Sequence, residues 1–456
     1  MMQVTRLDEV DPDWAWQPWE PSVQEPWDRK RAALLLRRSG FGATESEIQA
    51  ALQKSPADCI EQMLQTDGEA TEQFEVESAD LAASLVAGGE AKSLSIWWLH
   101  RMLHHPQQIV EKMTLFWHGH FATGAEKVLD PGLMLDQNKL LRKHAFGDFR
   151  AMVHGIAKDP AMLIYLDSVT NRKAHPNENF ARELMELFCI GEGHYTEVDV
   201  QQLARCFTGW EIRRKNFRFN PYQHDSGLKN VLGTEIETGE AAIDTVLSHK
   251  KVPYFIVRKL FHFFIGDEPS PTDALLRPLA DQFAGDGLVL EGVIKKLLGS
   301  RLMLSNWSIA RKVRSPVEMA IGLMRTMQMT SNLDQLSNRL REVGQALFFP
   351  PNVKGWDGGR AWVNSSTLVG RANLVYQLIR DEKTRFASGS FSDWLKSQKL
   401  SDQDAFLDWF STMFLAVPIS DSQRMSLRSS QDAKSEDRMF REMICLMAAM
   451  PQFQLS

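Results

Sequence analysis

The chain has 456 residues, 43% hydrophobic and 24% charged, which suits a globular protein with a large buried core. Its 52 basic and 58 acidic residues give a net charge of −6, so no broad cationic field argues for a nucleic-acid partner. Four cysteines show neither a CxxC spacing nor a disulfide framework, and no apolar run reaches the roughly 18 residues of a membrane helix.

Residues 1–27 place Trp14, Trp16, Trp19 and Trp27 among Pro12, Pro18, Pro21 and Pro26. Proline fixes φ and removes a donor, so we expect neither helix nor core strand but an extended arm packed over the body. Docking of a protein partner through this arm is the competing use. No apolar stretch typical of an export signal opens the chain, so as written it is expected in the cytoplasm. A misassigned start site would hide such a signal.

From Asp28 the apolar period becomes helical, with a glycine stop at Ser39-Gly40, a capping box at Thr44 to Glu47 and a proline start at Ser55-Pro56. The acidic segment 66–92 is poor in large apolar residues and predicts a surface connection. Helical patterns then run from Ile96 to Trp117 and on to Phe207, with Thr196 capping the last of them. After Trp210 alternation around Phe217 and Phe219 predicts a minor β-hairpin or long loop near 211–235. Helical patterns return from 239 to the end. The fold class expected is all-α, a large bundle-like main domain at 28–380 with a C-terminal helical segment at 381–456 packed on it.

Nine of the twelve histidines lie between His100 and His194. His118 and His120 flank Gly119; on a helix they would point apart, but on an extended turn they would converge as half of a divalent-metal site. One of them capping a helix end is the structural alternative. In the following stretch Asn179, Glu183 and Glu186 share a helix face at i, i+4 and i+7, so the carboxylates could share a metal or divide acid and base roles. Arg182 makes an ordinary surface salt bridge the rival there. Asn171, Asn177 and Asn179 supply uncharged donors and acceptors, with the acidic Asp167 in the same run, suited to a hydroxyl-rich or phosphate-bearing ligand, although turns use the same residues. Trp210 would form a further wall. The Gly-rich loop with Trp356 and Arg360 could stack a ring and grip an anion, or simply close the bundle. No Walker A loop, G-x-S-x-G elbow or H-E-x-x-H motif occurs.

LLLRRSGFGAT at 34–44, EKMTLFWHGHFAT at 111–123, DPAMLIYLD at 159–167, the run NENFARELMELFCIGEGHYTEVDVQQLARCFTGW at 177–210, SPVEMAIGLMR at 315–325 and PPNVKGWDGGRAWVNSSTL at 350–368 follow one another in order. In these pieces the chain resembles a bacterial family known as domain of unknown function 1800. The resemblance implies a mostly helical bacterial protein. Many members look exported and are encoded near sulfatase- or phosphatase-like proteins, which implies envelope or polysaccharide biology; this chain lacks a visible export signal.

We therefore expect an enzyme, in its sharpest form a metal-dependent hydrolase, acting on a polar small molecule such as a glycan or phosphoester. Glu183, Glu186 and His194 would be catalytic, His118 and His120 would hold a divalent metal, and Asp167, Asn171, Asn177, Asn179, Trp210, Trp356 and Arg360 would bind substrate. The alternative is a non-catalytic binding or assembly protein whose polar cluster braces the helical core.

Overall fold

Capping residues cut this chain into many short helices. Asp28, Thr44, Ser55, Asp130, Asp148, Asp159, Thr196, Ser315 and Asn364 each accept a backbone N–H of the first turn that follows. Such acceptors satisfy donors that a helix start leaves unpaired. The computed structural model describes residues 6–65, 68–387, 389–429 and 435–456. Its architecture is all-α with small β-hairpins, and one cluster of buried apolar side chains runs from Leu7 to Phe453. Among the described residues no helix is long and apolar enough to cross a membrane.

Among its described residues the arm holds two short helical turns after all, a 3-10 turn at Leu7–Glu9 and an α-helical turn at Pro12–Ala15 capped by Asp11. Proline is tolerated in the second because its missing N–H would be unpaired in any case. Beyond these turns the arm is pasted down. The Trp16 indole donates to Leu275 O at 2.6 Å, Trp19 N donates to Gly299 O at 2.8 Å, and the Trp27 indole reaches Ala51 O at 3.2 Å.

The acidic segment also departs from expectation, because Glu69–Ala87 is a 19-residue helix. It packs with small residues, Ser78 and Ala82, where the sequence offers no large apolar stripe. Glu75 pairs with the buried Arg101 at 2.5 Å, and Ser78 accepts from the Trp97 indole.

Two hairpins stand where one hairpin or a long loop was expected. Trp210–Arg213 pairs with Asn216–Phe219, and Lys229–Val231 with Thr234–Ile236. Arg214 and Lys215 both take positive φ in the first turn, the geometry that matches strand twist in a two-residue loop. A third pairing, Met329–Thr330 with Arg385–Phe386, joins distant segments and is too short to show a period in sequence.

The helix Gln108–His120 lies at the centre, and only Gln108 and Gly119 in it escape full burial. Glu111 is fully buried within it. Its carboxylate accepts from Arg101 Nε at 2.8 Å, from Arg142 Nε and Nη2 at 2.9 Å each, and from the Trp98 indole at 2.8 Å. Next to it Lys112 pairs with Glu318. Burial alone would raise the Glu111 carboxyl, but the charges of Arg142 and Arg101 outweigh it and hold the group down at about 2.

Removing that carboxylate leaves the buried Arg142 without a carboxylate partner and leaves Arg101 with Glu75 alone. We predict that Glu111→Ala loses about 3–5 kcal/mol in chemical denaturation. Because the folded carboxyl is depressed to about 2, its stabilisation is complete above the unfolded value of 4.5 and is lost as the pH falls through about 2. The difference between wild type and variant should shrink in that acid window.

Candidate functional site

The helix that follows the asparagine-rich segment changes pitch part-way. Asn179–Glu183 is α-helical and Leu184–Cys189 is a π-helix. Ile190 N and Gly191 N both return to Met185 O, so the last carbonyls of the helix lack the usual partners. Two side chains from elsewhere take them. Lys259 Nζ donates to Leu187 O at 3.0 Å, and His120 Nε2 donates to Phe188 O at 3.0 Å. Lys259 also reaches His120 Nδ1 at 3.0 Å and lies 4.7 Å from the centre of the Phe255 ring. A lysine amine and an imidazole N–H thus cap the negative end of this helix.

That cap settles how the two histidines are used. The helix continues through His120, so His118 and His120 leave it on opposite sides and do not converge on one ion. The metal half-site expected from H-x-H is therefore not formed. Among the described residues no group of three or more His, Cys, Asp or Glu side chains is arranged to hold a metal. His118 Nε2 accepts the Phe348 N–H at 3.1 Å, and its ring packs against Trp98, Phe348 and Trp356. Burial pushes its pKa down to about 3. Burial also lowers His120, and the charge of Lys259 adds to the effect.

The asparagines form a bonded knot. Asn171 is buried, donates to Ala204 O at 2.9 Å and accepts from Asn177 N at 2.9 Å. Asn177 accepts from Asn179 N at 2.9 Å and donates to Thr170, while Asn179 donates to Leu166 O at 3.2 Å. Asp167 takes positive φ and pairs with Lys127 at 2.7 Å. These bonds are those of turns, and they use much of the capacity that a ligand would need.

Glu183 and Glu186 do stay together. The Tyr195 hydroxyl donates to Glu186 Oε2 at 3.1 Å. Glu183 is half-buried and makes no hydrogen bond or ion pair among the described residues; Arg182 pairs instead with Glu178 and Glu197. Burial raises the Glu183 carboxyl, and the neighbouring charge of Glu186 raises it further. The Tyr165 phenol is raised by burial and by Glu126 and Glu183, which places it in the same electrostatic neighbourhood.

The remaining expected residues are scattered. His194 is exposed, its ring 6.3 Å from that of His249. Trp210 is buried between Phe207 and Phe217 in the first hairpin. Arg360 is exposed and pairs with Glu268 at 2.6 Å. Trp356 lies over the His118 side of the central helix, in a loop held by an unusually close backbone contact. A Cβ on Gly355 would stand 2.2 Å from Gly119 O, and Gly355 has φ +80.

Sequence reasoning missed Lys259 and Tyr195. The signal for the first was present: Phe255, Lys259 and Phe263 stand at i, i+4 and i+8, a lone lysine in an aromatic line. Tyr195 follows the G-x-G-H break directly and was overlooked beside His194.

The profile of the family described as "Protein of unknown function (DUF1800)" matches residues 34–455. The chain belongs to that family. No curated protein and no solved structure matches it. DUF1800 membership thus agrees with the helical architecture and assigns no activity to the Glu183–Glu186 face.

Two outcomes follow from this geometry. Gly355→Ala meets both a forbidden φ and the Gly119 carbonyl, and should lower stability by about 2 kcal/mol or more in denaturant titrations. For Lys259, burial lowers the folded pKa from 10.5 to about 7. The unfolded chain therefore holds more protons between these values, and this group makes stability rise with pH from about 7 to 10.5. Lys259→Met should remove that part of the slope in denaturation series across this window.

Proposed function

We propose that this protein is an acid–base enzyme acting on a polar, hydroxyl-bearing substrate, with Glu183 and Glu186 as the reacting pair. The carrying observation is Glu183, a half-buried carboxylate with no bonded partner among the described residues, raised by burial and by Glu186 beside it. Two carboxylates in unequal surroundings divide naturally into a proton donor and a base. Glu183 is the donor, and Glu186, oriented by the Tyr195 hydroxyl, is the base that activates water or a substrate hydroxyl. A change of helix pitch at a functional site is a recurrent feature of π turns. His118 and His120 take no part as metal ligands in this reading, and glycosides and phosphate esters are the substrate classes it favours.

A second reading is supported by a different observation. His118, His120, Asn171, Asn177 and Asn179 all bond within the fold. Those bonds favour a non-catalytic binding or assembly protein braced by its polar cluster.

Turnover of chromogenic glycosides and phosphate esters separates the two. On the enzyme reading the wild type hydrolyses one class and Glu183→Gln lowers kcat by about a hundredfold or more, without change in fold. Turnover should survive treatment with a metal chelator. No turnover of either class, or turnover undiminished in Glu183→Gln, would favour the braced binding protein.

A further inference from the structure

Lys259 stands apart from the other deeply placed lysines. Lys112 and Lys312 face the carboxylates of Glu318 and Asp267. Lys229 is tied to the carbonyls of Asp225 and Glu237. Lys259 is half-buried, and among the described residues no carboxylate lies within ion-pair distance of its Nζ. Its neighbours are the His120 imidazole, the Leu187 carbonyl and the Phe255 ring, with Cys189 and the cationic Lys354 close enough to act on its charge. Lys354 is exposed on the loop that Gly355 presses against Gly119.

An amine in such a place meets two conditions for nucleophilic chemistry. It lacks the counter-ion that would keep it protonated, and a hydrogen-bond acceptor already touches it. Burial holds its pKa down at about 7, and the charge of Lys354 acts in the same direction. Desolvation beside a second cation is a known way to activate a lysine. The exposed Lys354 would also draw an anionic partner towards this corner.

We propose that Lys259 is a reactive amine that condenses with a small carbonyl compound bearing an anionic group. The neutral Nζ adds to the carbonyl carbon, and the C=O electron pair moves onto oxygen. A proton leaves Nζ, with His120 Nδ1 in contact to relay it, and reaches that oxygen. The nitrogen lone pair then forms the C=N bond as the C–O bond breaks. The second Nζ proton passes to the leaving oxygen, which departs as water and leaves a neutral imine on Lys259, and nothing is oxidised or reduced. This inference does not depend on the roles proposed for Glu183 and Glu186.

The test is reductive trapping on the full chain. Glyoxylate, an anionic aldehyde, is added at pH about 7.5, well below the ordinary lysine pKa, the imine is reduced with cyanoborohydride, and labelled peptides are mapped by mass spectrometry. Lys259 is expected to label at least about tenfold faster than the exposed Lys354, as an activated amine should. The Lys259 rate should level off just above neutral pH, and neutral glycolaldehyde should react more slowly than glyoxylate at this position. Labelling no faster than that of Lys354, or a Lys259 rate still climbing to about pH 10 as for an ordinary lysine, would overturn the proposal. Lys259 would then be a helix cap only.

Discussion

A helix surrounded on every side must find, inside the protein, a partner for each polar group it carries. That obligation governs the segment Gln108–His120. Glu111 answers it with Arg101, Arg142 and Trp98, Lys112 with Glu318, Thr114 with its own Val110 carbonyl, His118 with the Phe348 amide, and His120 with Phe188 and Lys259. Most of these partners come from different parts of the chain. Side chains that would be a liability in a purely apolar core instead register several helices and a loop against one axis. Apolar packing supplies the driving force, and the polar bonds restrict which packing satisfies it.

The candidate site grows from one end of that axis. His120 and Lys259 take up the carbonyls left by the π turn, and the same turn carries Glu186, with Glu183 just before it. Bracing and the proposed chemistry therefore share a piece of structure. Groups engaged with the frame are fixed, while Glu183 is left without a partner among the described residues. The mixture explains why a single polar cluster supports two functional readings, since its members divide between the two tasks residue by residue.

Much of the fold was legible because its signals are local. Caps such as Thr44, Ser55 and Thr196 act within one turn, and the apolar period marks each buried face. Glu69–Ala87 escaped because it packs small side chains and an ion pair where large apolar groups were sought. At the site, the pairing of Glu183 with Glu186 could be read from spacing alone. The fate of His118 and His120 could not, because it depended on whether the helix ran on past Gly119. Lys259 lay far along the chain, and only tertiary packing brings it to His120.

The contact between Gly355 and Gly119 has a consequence for how this surface can diversify. The loop rests on the central helix through main-chain atoms, with no side chain interposed at the closest point. Lys354 on one side of it projects into solvent and Trp356 on the other reaches the His118 ring. The seat is thus separable from the tool. Lineages could exchange the residue at 354, and with it the charge offered to an incoming molecule, while Gly355 keeps the loop against the Gly119 carbonyl.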